Sequence, residues 1–273
     1  MTLPFAKVLA GAAALALISL PSAVQAHRQW MLPSSTIVAG DDVWVTVDAA
    51  VSNDLFYFEH QPLRLDNIKA WAPDGSEVKI ENGSTGRYRS TFDLHLTQKG
   101  TYRIANAGGG LMGSYKENGE EKRLPRGTTA ATLASALPAG ATDVKLSESW
   151  SRNEIFVTSG EPSEIKASGK GLELVPITHP NDLVAGEEAR FRFVIDGKPA
   201  AGLDVTVVPG GIRYRDQLNQ MDLKTDAEGV VTMTLPEPGH YWLNVVASDK
   251  ATSDPRATER RLNYVTTLEV LPL

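Results

Sequence analysis

Cysteine is absent from all 273 residues, which excludes disulfides and thiolate metal sites together. Cationic runs are also missing. The chain carries 27 Lys+Arg against 33 Asp+Glu, a formal net charge of −6, which excludes the basic face a nucleic-acid partner requires. Beyond the first two dozen residues no apolar run is long enough for a transmembrane helix, so direct membrane insertion is not expected. G-x-S-x-G and H-E-x-x-H are absent, and neither Asp41-Asp42 nor Glu117-Glu120-Glu121 has the spacing of a calcium loop. Aromatics make up 7% of the chain and show no repetition that would build a flat surface platform. Gly108 to Gly113 satisfies G-x-G-x-x-G, but no helix pattern follows it, and it reads as a flexible loop.

What is present begins with a leader. Lys7, the apolar run Val8 to Leu20, Pro21 and then Val24-Gln25-Ala26 follow the order of a secretory signal cut after Ala26. Residues 1–26 are thus expected to be a signal peptide, and the protein to be exported to the periplasm. Cleavage would remove Lys7 and no acid, leaving the chain one unit more negative. It would also make His27 the first residue, with a free α-amine beside an imidazole.

The remaining sequence is rich in strand signals. Val43 to Asp48 alternates apolar and polar residues. Short runs follow at Leu55–Phe58, Asn67–Ala72, Ser76–Ile80, Arg87–Leu94 and Thr101–Ala105, separated by turns such as Pro73-Asp74-Gly75. The rhythm fails over 106–151, which reads as a long loop with at most one short helix, and returns at Glu154–Thr158. After a Gly/Pro/Ser-rich stretch, Ser159 to Gly171, six strand candidates follow: LELVPI, ARFRFVI, LDVTVVP, VVTMTLP, YWLNVVA and YVTTLEVLP. The expected fold class is all-β: two antiparallel β-sandwiches of Ig-like or transthyretin-like type. The first would cover 27–165 with the 106–151 loop inserted. The second would cover 172–273 and fold alone as a fragment from Gly171.

Five histidines are the candidate ligands. At a free N-terminus the amine and ring of His27 form a chelate that suits Cu(II) or Ni(II). His60 ends FYFEH, where alternation puts it on one face with Phe56 and Phe58, at the rim of an apolar face. His179, in the turn THPND, would face the first sandwich or decorate a loop. His95 and His240 fall out of phase with inward positions and are expected at the surface. Trp30 and Trp44 are expected as packing residues, with Trp30 shielding His27.

The turn-and-strand series DGKPAAG, TDAEG, PGHYWLNV resembles transthyretin-like and carboxypeptidase-regulatory sandwiches. A longer resemblance runs through AHRQWML, FYFEHQPLRLDN, SRNEIFVTSGEP, GLELVPITHPNDLVAGE, VVPGGIRYRD and TTLEVLP. Together these resemble a bacterial periplasmic family of unknown function whose members are often labelled nickel-uptake substrate-specific proteins. The resemblance implies a metal-handling protein and raises the standing of His60. The expected function is binding of a divalent transition metal (nickel, cobalt or copper) in support of uptake or homeostasis, beside a membrane uptake component. His27, His60 and His179 are the candidate ligands, and no catalytic residue is assigned. The alternatives are a copper histidine-brace oxidative enzyme and a metal-free envelope interaction module.

Overall fold

A computed structural model describes residues 27–273; the expected signal peptide, residues 1–26, lies outside the described residues. The first strands are β1 (Arg28–Pro33), β2 (Ile37–Val38), β3 (Val43–Ser52), β4 (Gln61–Pro62), β5 (Ile68–Trp71) and β6 (Glu77–Val78). They are followed by β7 (Glu81–Thr85), β8 (Ser90–Leu96), β9 (Gly100–Glu117), β10 (Glu120–Arg123), a one-turn helix α1 (Leu133–Ala136) and β11 (Thr142–Ser159). The second half runs β12 (Leu172–Pro176), β13 (Glu188–Ile195), β14 (Lys198–Pro199), β15 (Asp204–Pro209) and β16 (Met221–Lys224). It ends with β17 (Val230–Thr234), β18 (Gly239–Asp249) and β19 (Ala257–Val270).

These strands form three sheets. A short one has the order β1-β3-β8-β7, with β4 added on β3. A ten-stranded one has the order β16-β15-β18-β19-β11-β9-β5-β6, with β10 on β9 and β2 on β11. The third is β12-β13-β14, with β17 on β13. Alternation decides which face each strand buries. In β8 (STFDLHL) Phe92, Leu94 and Leu96 are buried while the residues between them are half-exposed. With Val45 and Val47 of β3 they meet Tyr102, Ile104, Ile155 and Val157 of the long sheet in one core. A second core closes the third sheet over the other half of the long sheet, with Phe191, Phe193, Val205, Val207, Leu243 and Tyr264.

The fold is therefore all-β with mainly antiparallel sheets, and the six strand candidates of the second half all form. Between the two cores the long sheet is continuous, because β11 pairs antiparallel with β9 on one side and parallel with β19 on the other. Strand β19 is thus internal to the long sheet.

Three sequence-based expectations are corrected. The loop expected over 106–151 is mostly strand: β9 and β11 pair from Ser159↔Gly100 to Thr142↔Lys116, and β10 folds back on β9. Glycine conceals this arm, because Gly108 to Gly110 carry no side chains to alternate. Gly109 is required there, since a Cβ would run into the Ser149 carbonyl and the Trp150 ring. Second, Leu55–Phe58 is a turn and not a strand. Third, Trp44 is 43% exposed and not packed in a core; its ring stacks on His95 at 4.3 Å.

Candidate functional site

Strand β1 enters beside β3 with Arg28 opposite Ser52, and β4 leaves the following turn with Gln61 opposite Val51. His27 and His60 are the residues just ahead of these two strands, so both stand over the same end of β3. Their rings stack with centroids 3.8 Å apart and planes 7° from parallel. Both residues are exposed. Neither ring makes a hydrogen bond or ion pair among the described residues, so their nitrogens are free to bind.

The turn that carries His60 is held from within. Glu59 accepts the backbone N–H groups of Asn53 (2.6 Å) and Asp54 (3.0 Å), and Tyr57 N–H donates to the Asp54 carbonyl (3.2 Å). Phe56 sits at φ 66°, a left-handed conformation unusual for a bulky residue. Such strain persists only where the surroundings enforce it. Here the Phe56 ring meets Trp30 edge-on at 5.5 Å and His240 at 6.0 Å.

Trp30 forms the floor. It is fully buried, its Nε1–H donates to Ser52 Oγ at 2.8 Å, and its ring also meets Phe58 at 5.6 Å. A small apolar cluster of Trp30, Ala50, Leu55, Val208, Trp242 and Val265 ties this floor to the second half of the chain. Trp242 Nε1–H donates to the Gln29 carbonyl at 2.9 Å, and Gln29 Nε2 donates to Ser151 Oγ at 2.9 Å. The strand that presents His27 is thereby fixed by β3, β11 and β18 at once. Guanidinium groups cover the neighbouring rings: Arg89 lies 4.3 Å from the Phe58 ring centre and Arg213 lies 4.8 Å from that of Tyr57.

The other histidines stand elsewhere. His179 is half-buried against the start of β9. Its Nε2 lies 3.0 Å from Thr101 Oγ1, and its Nδ1 accepts the Asn181 N–H at 3.1 Å. Burial lowers the proton affinity of this ring, against a smaller opposing pull from Ser163 and Asp182. Seven residues of β11 separate Thr158, which bonds Thr101, from Ser151, which bonds Gln29. At about 3.3 Å per residue that spacing is roughly 23 Å, so the structure does not bring His179 to the His27–His60 pair. His95 lies at the surface with its Nε2 2.7 Å from Asp42. His240 is half-exposed, 3.7 Å from Glu269, and reaches the site only through Phe56. Among the described residues no group of three or more His, Cys, Asp or Glu side chains converges as a metal-binding cluster.

Sequence reasoning placed Phe56 beside His60 but missed Glu59, Ser52 and Trp242 as parts of this site. A strand reading of FYFEH points Glu59 away from it. Only the turn lets that carboxylate reach back to Asn53.

The profile of DUF4198, a domain of unknown function, matches residues 24–249. No curated protein matches the chain. Among solved structures, the D0-D1 domain of Intimin is similar at 14% identity and a TM-score of 0.24, over 88% of this chain and 97% of that one. A Group B Streptococcus pullulanase is similar at 10% identity and a TM-score of 0.17, over 79% of this chain and 22% of that one.

Proposed function

Since this chain belongs to the DUF4198 family, a domain of unknown function, its role has to be read from its own side chains, and we propose that it binds a divalent transition metal, nickel, cobalt or copper, as cargo in the periplasm. The observation that carries this reading is the stacking of His27 on His60 at 3.8 Å with unengaged nitrogens. Two imidazoles suit these borderline metals. In this reading cleavage after Ala26 adds the α-amine of His27 as the third donor. Trp30, packed on Phe56 and Phe58, and the Glu59-closed turn hold the two backbone segments side by side, and the stacked rings turn edge-on to the metal as it binds. The metal-loaded protein then hands its cargo to a membrane uptake component. Because the ligands must be deprotonated to bind, loading releases protons and weakens as pH falls.

Calorimetric titration with nickel and copper tests this on three proteins: one beginning at His27, one with a single glycine ahead of His27, and His60→Ala. The expected result is tightest binding by the first, with both changes weakening it at least about tenfold, the equivalent of one lost ligand interaction of ~1.4 kcal/mol. Equal affinity across the three proteins refutes the site.

A further inference from the structure

The arm formed by β9 and β11 borders a groove of about 1470 Å³, lined by Gly108 to Ser114, by the 123–127 segment and by β19. Its charge is opposite to that of the molecule. Arg123, Arg126, Lys145, Arg256 and Arg261 line it, against the single acid Glu121, on a chain of net charge −6. Arg256 is paired with Asp254 and Arg261 with Glu259. Arg123, Arg126 and Lys145 make no ion pair among the described residues. A concave wall of one sign focuses potential and concentrates ligands of the other, and guanidinium groups bind carboxylate and phosphate in bidentate fashion.

The floor supplies an independent sign of a ligand. Gly109, Gly110 and Gly113 are dictated by the fold, since a Cβ at each would run into the backbone of Ser149, Thr128 or Lys145. Gly108 is different. A Cβ there would meet nothing within 4 Å, and its φ is not positive. A mid-strand glycine costs roughly 0.5–1 kcal/mol relative to alanine, and packing offers no compensation at this position. Glycine inside a strand also marks places where another molecule approaches the backbone closely, and Gly108 faces the groove. Ser147 and Ser149 add hydroxyl groups along the same wall. From Gly108 to Ser114 the floor runs about 20 Å, the length of an oligomer and not of a single ion.

We propose that this groove is a binding site for an anionic oligosaccharide, its carboxylate or phosphate groups held by Arg123, Arg126 and Lys145 and its sugar backbone laid over Gly108 and the serines. Nothing in this assignment depends on the metal site.

Calorimetry of the full chain tests it with tetragalacturonate as the probe and maltotetraose, inorganic phosphate and a glutamate tetrapeptide as comparisons. Tetragalacturonate should bind, maltotetraose should not, and phosphate and the peptide should bind at least about tenfold more weakly, as expected when charge-assisted hydrogen bonds are lost or misplaced. The double variant Arg123→Glu/Arg126→Glu should weaken the probe at least tenfold and flatten the salt dependence of binding relative to the parent. Gly108→Leu should fill the floor, block the probe and leave the thermal unfolding temperature unchanged or raised. That variant separates blocked binding from misfolding. The proposal is overturned by absence of tetragalacturonate binding, by binding that Gly108→Leu leaves intact in a folded protein, or by equal binding of phosphate or the peptide.

Discussion

Replacing Arg103 by methionine removes one cation from the seam between the two cores. Arg103 Nε donates to Glu154 at 2.7 Å and its Nη2 donates to Glu173 at 3.0 Å. Arg152 reaches the same two carboxylates at 3.4 Å, and Tyr264 Oη donates to Glu154 at 2.7 Å. Both glutamate side chains are wholly buried, so two anions are balanced by two cations away from water. Methionine retains much of the arginine stem but leaves Arg152 as the one cation paired with both carboxylates. Breaking a buried pair from one side costs about 3–5 kcal/mol. The exposed pair Arg64–Asp66, with side chains 83% and 68% accessible, is worth about 0–1 kcal/mol. For a chain of this length each kcal/mol moves Tm by about 2–4 °C, so Arg103→Met should lower Tm by roughly 6–20 °C while Arg64→Met barely moves it. The acid limb gives a second reading. Burial pushes the Glu173 carboxyl up, but the Ser168 N–H and the two arginines outweigh it and hold the pKa below its ordinary value. A carboxylate depressed in the fold stabilises above its unfolded pKa, and that stability is lost as pH falls through the folded one. Removing Arg103 raises the folded pKa, so acid unfolding should begin at higher pH in the variant. Differential scanning calorimetry of both variants across acid and neutral pH measures both effects. If Arg103→Met is no more destabilising than Arg64→Met, the ion network does not hold the seam.

Two further outcomes follow from burial and close approach. His179 is half-buried with a lowered proton affinity, so below the unfolded histidine value of about 6.5 the unfolded chain takes up the proton first and stability declines as pH drops. His179→Gln should flatten that decline in urea titrations at stepped pH; equal slopes in both proteins would refute the assignment. Gly109→Val should cost about 1–3 kcal/mol by overpacking against Ser149 and Trp150, whereas the same change at Gly108 should cost nothing, and thermal unfolding of the two variants side by side checks the contrast.

Regular alternation made most of the fold legible in the sequence. Val43 to Asp48 and the six later runs carry it, and each becomes a strand with the inward set facing a core. The failures share one cause, which is that the deciding contact is remote in sequence. Gly108-Gly109-Gly110 reads as loop because its strand identity lies in Ser149 and Trp150, about forty residues on. Leu55–Phe58 reads as strand because it is apolar, but the Glu59 carboxylate bending back to Asn53 makes it a turn. For the site, the pairing of His27 with His60 was legible as a juxtaposition of two candidate ligands. His179 was not separable from them, since only the length of β11 sets the distance between their ends. Trp242, which fixes Gln29 from more than two hundred residues away, leaves no local trace at all.

The position of β19 has a consequence for how the molecule comes into being. Residues 146–154 wait for residues 257–266 to complete their parallel pairing, so a chain released before its last strand has two bare sheet edges, at β11 and at β18, both ready to pair with foreign strands. Long-range parallel pairing of this kind is slow to form. The histidine pair inherits that order of events, because the strand bearing His27 is pinned by Trp242 of β18 and Ser151 of β11, the same two strands that β19 joins. Completion of the carboxyl-terminal strand thus finishes the support of the amino-terminal site: β3 alone sets the two histidines side by side, and β19 joins the two strands that pin β1 beneath them.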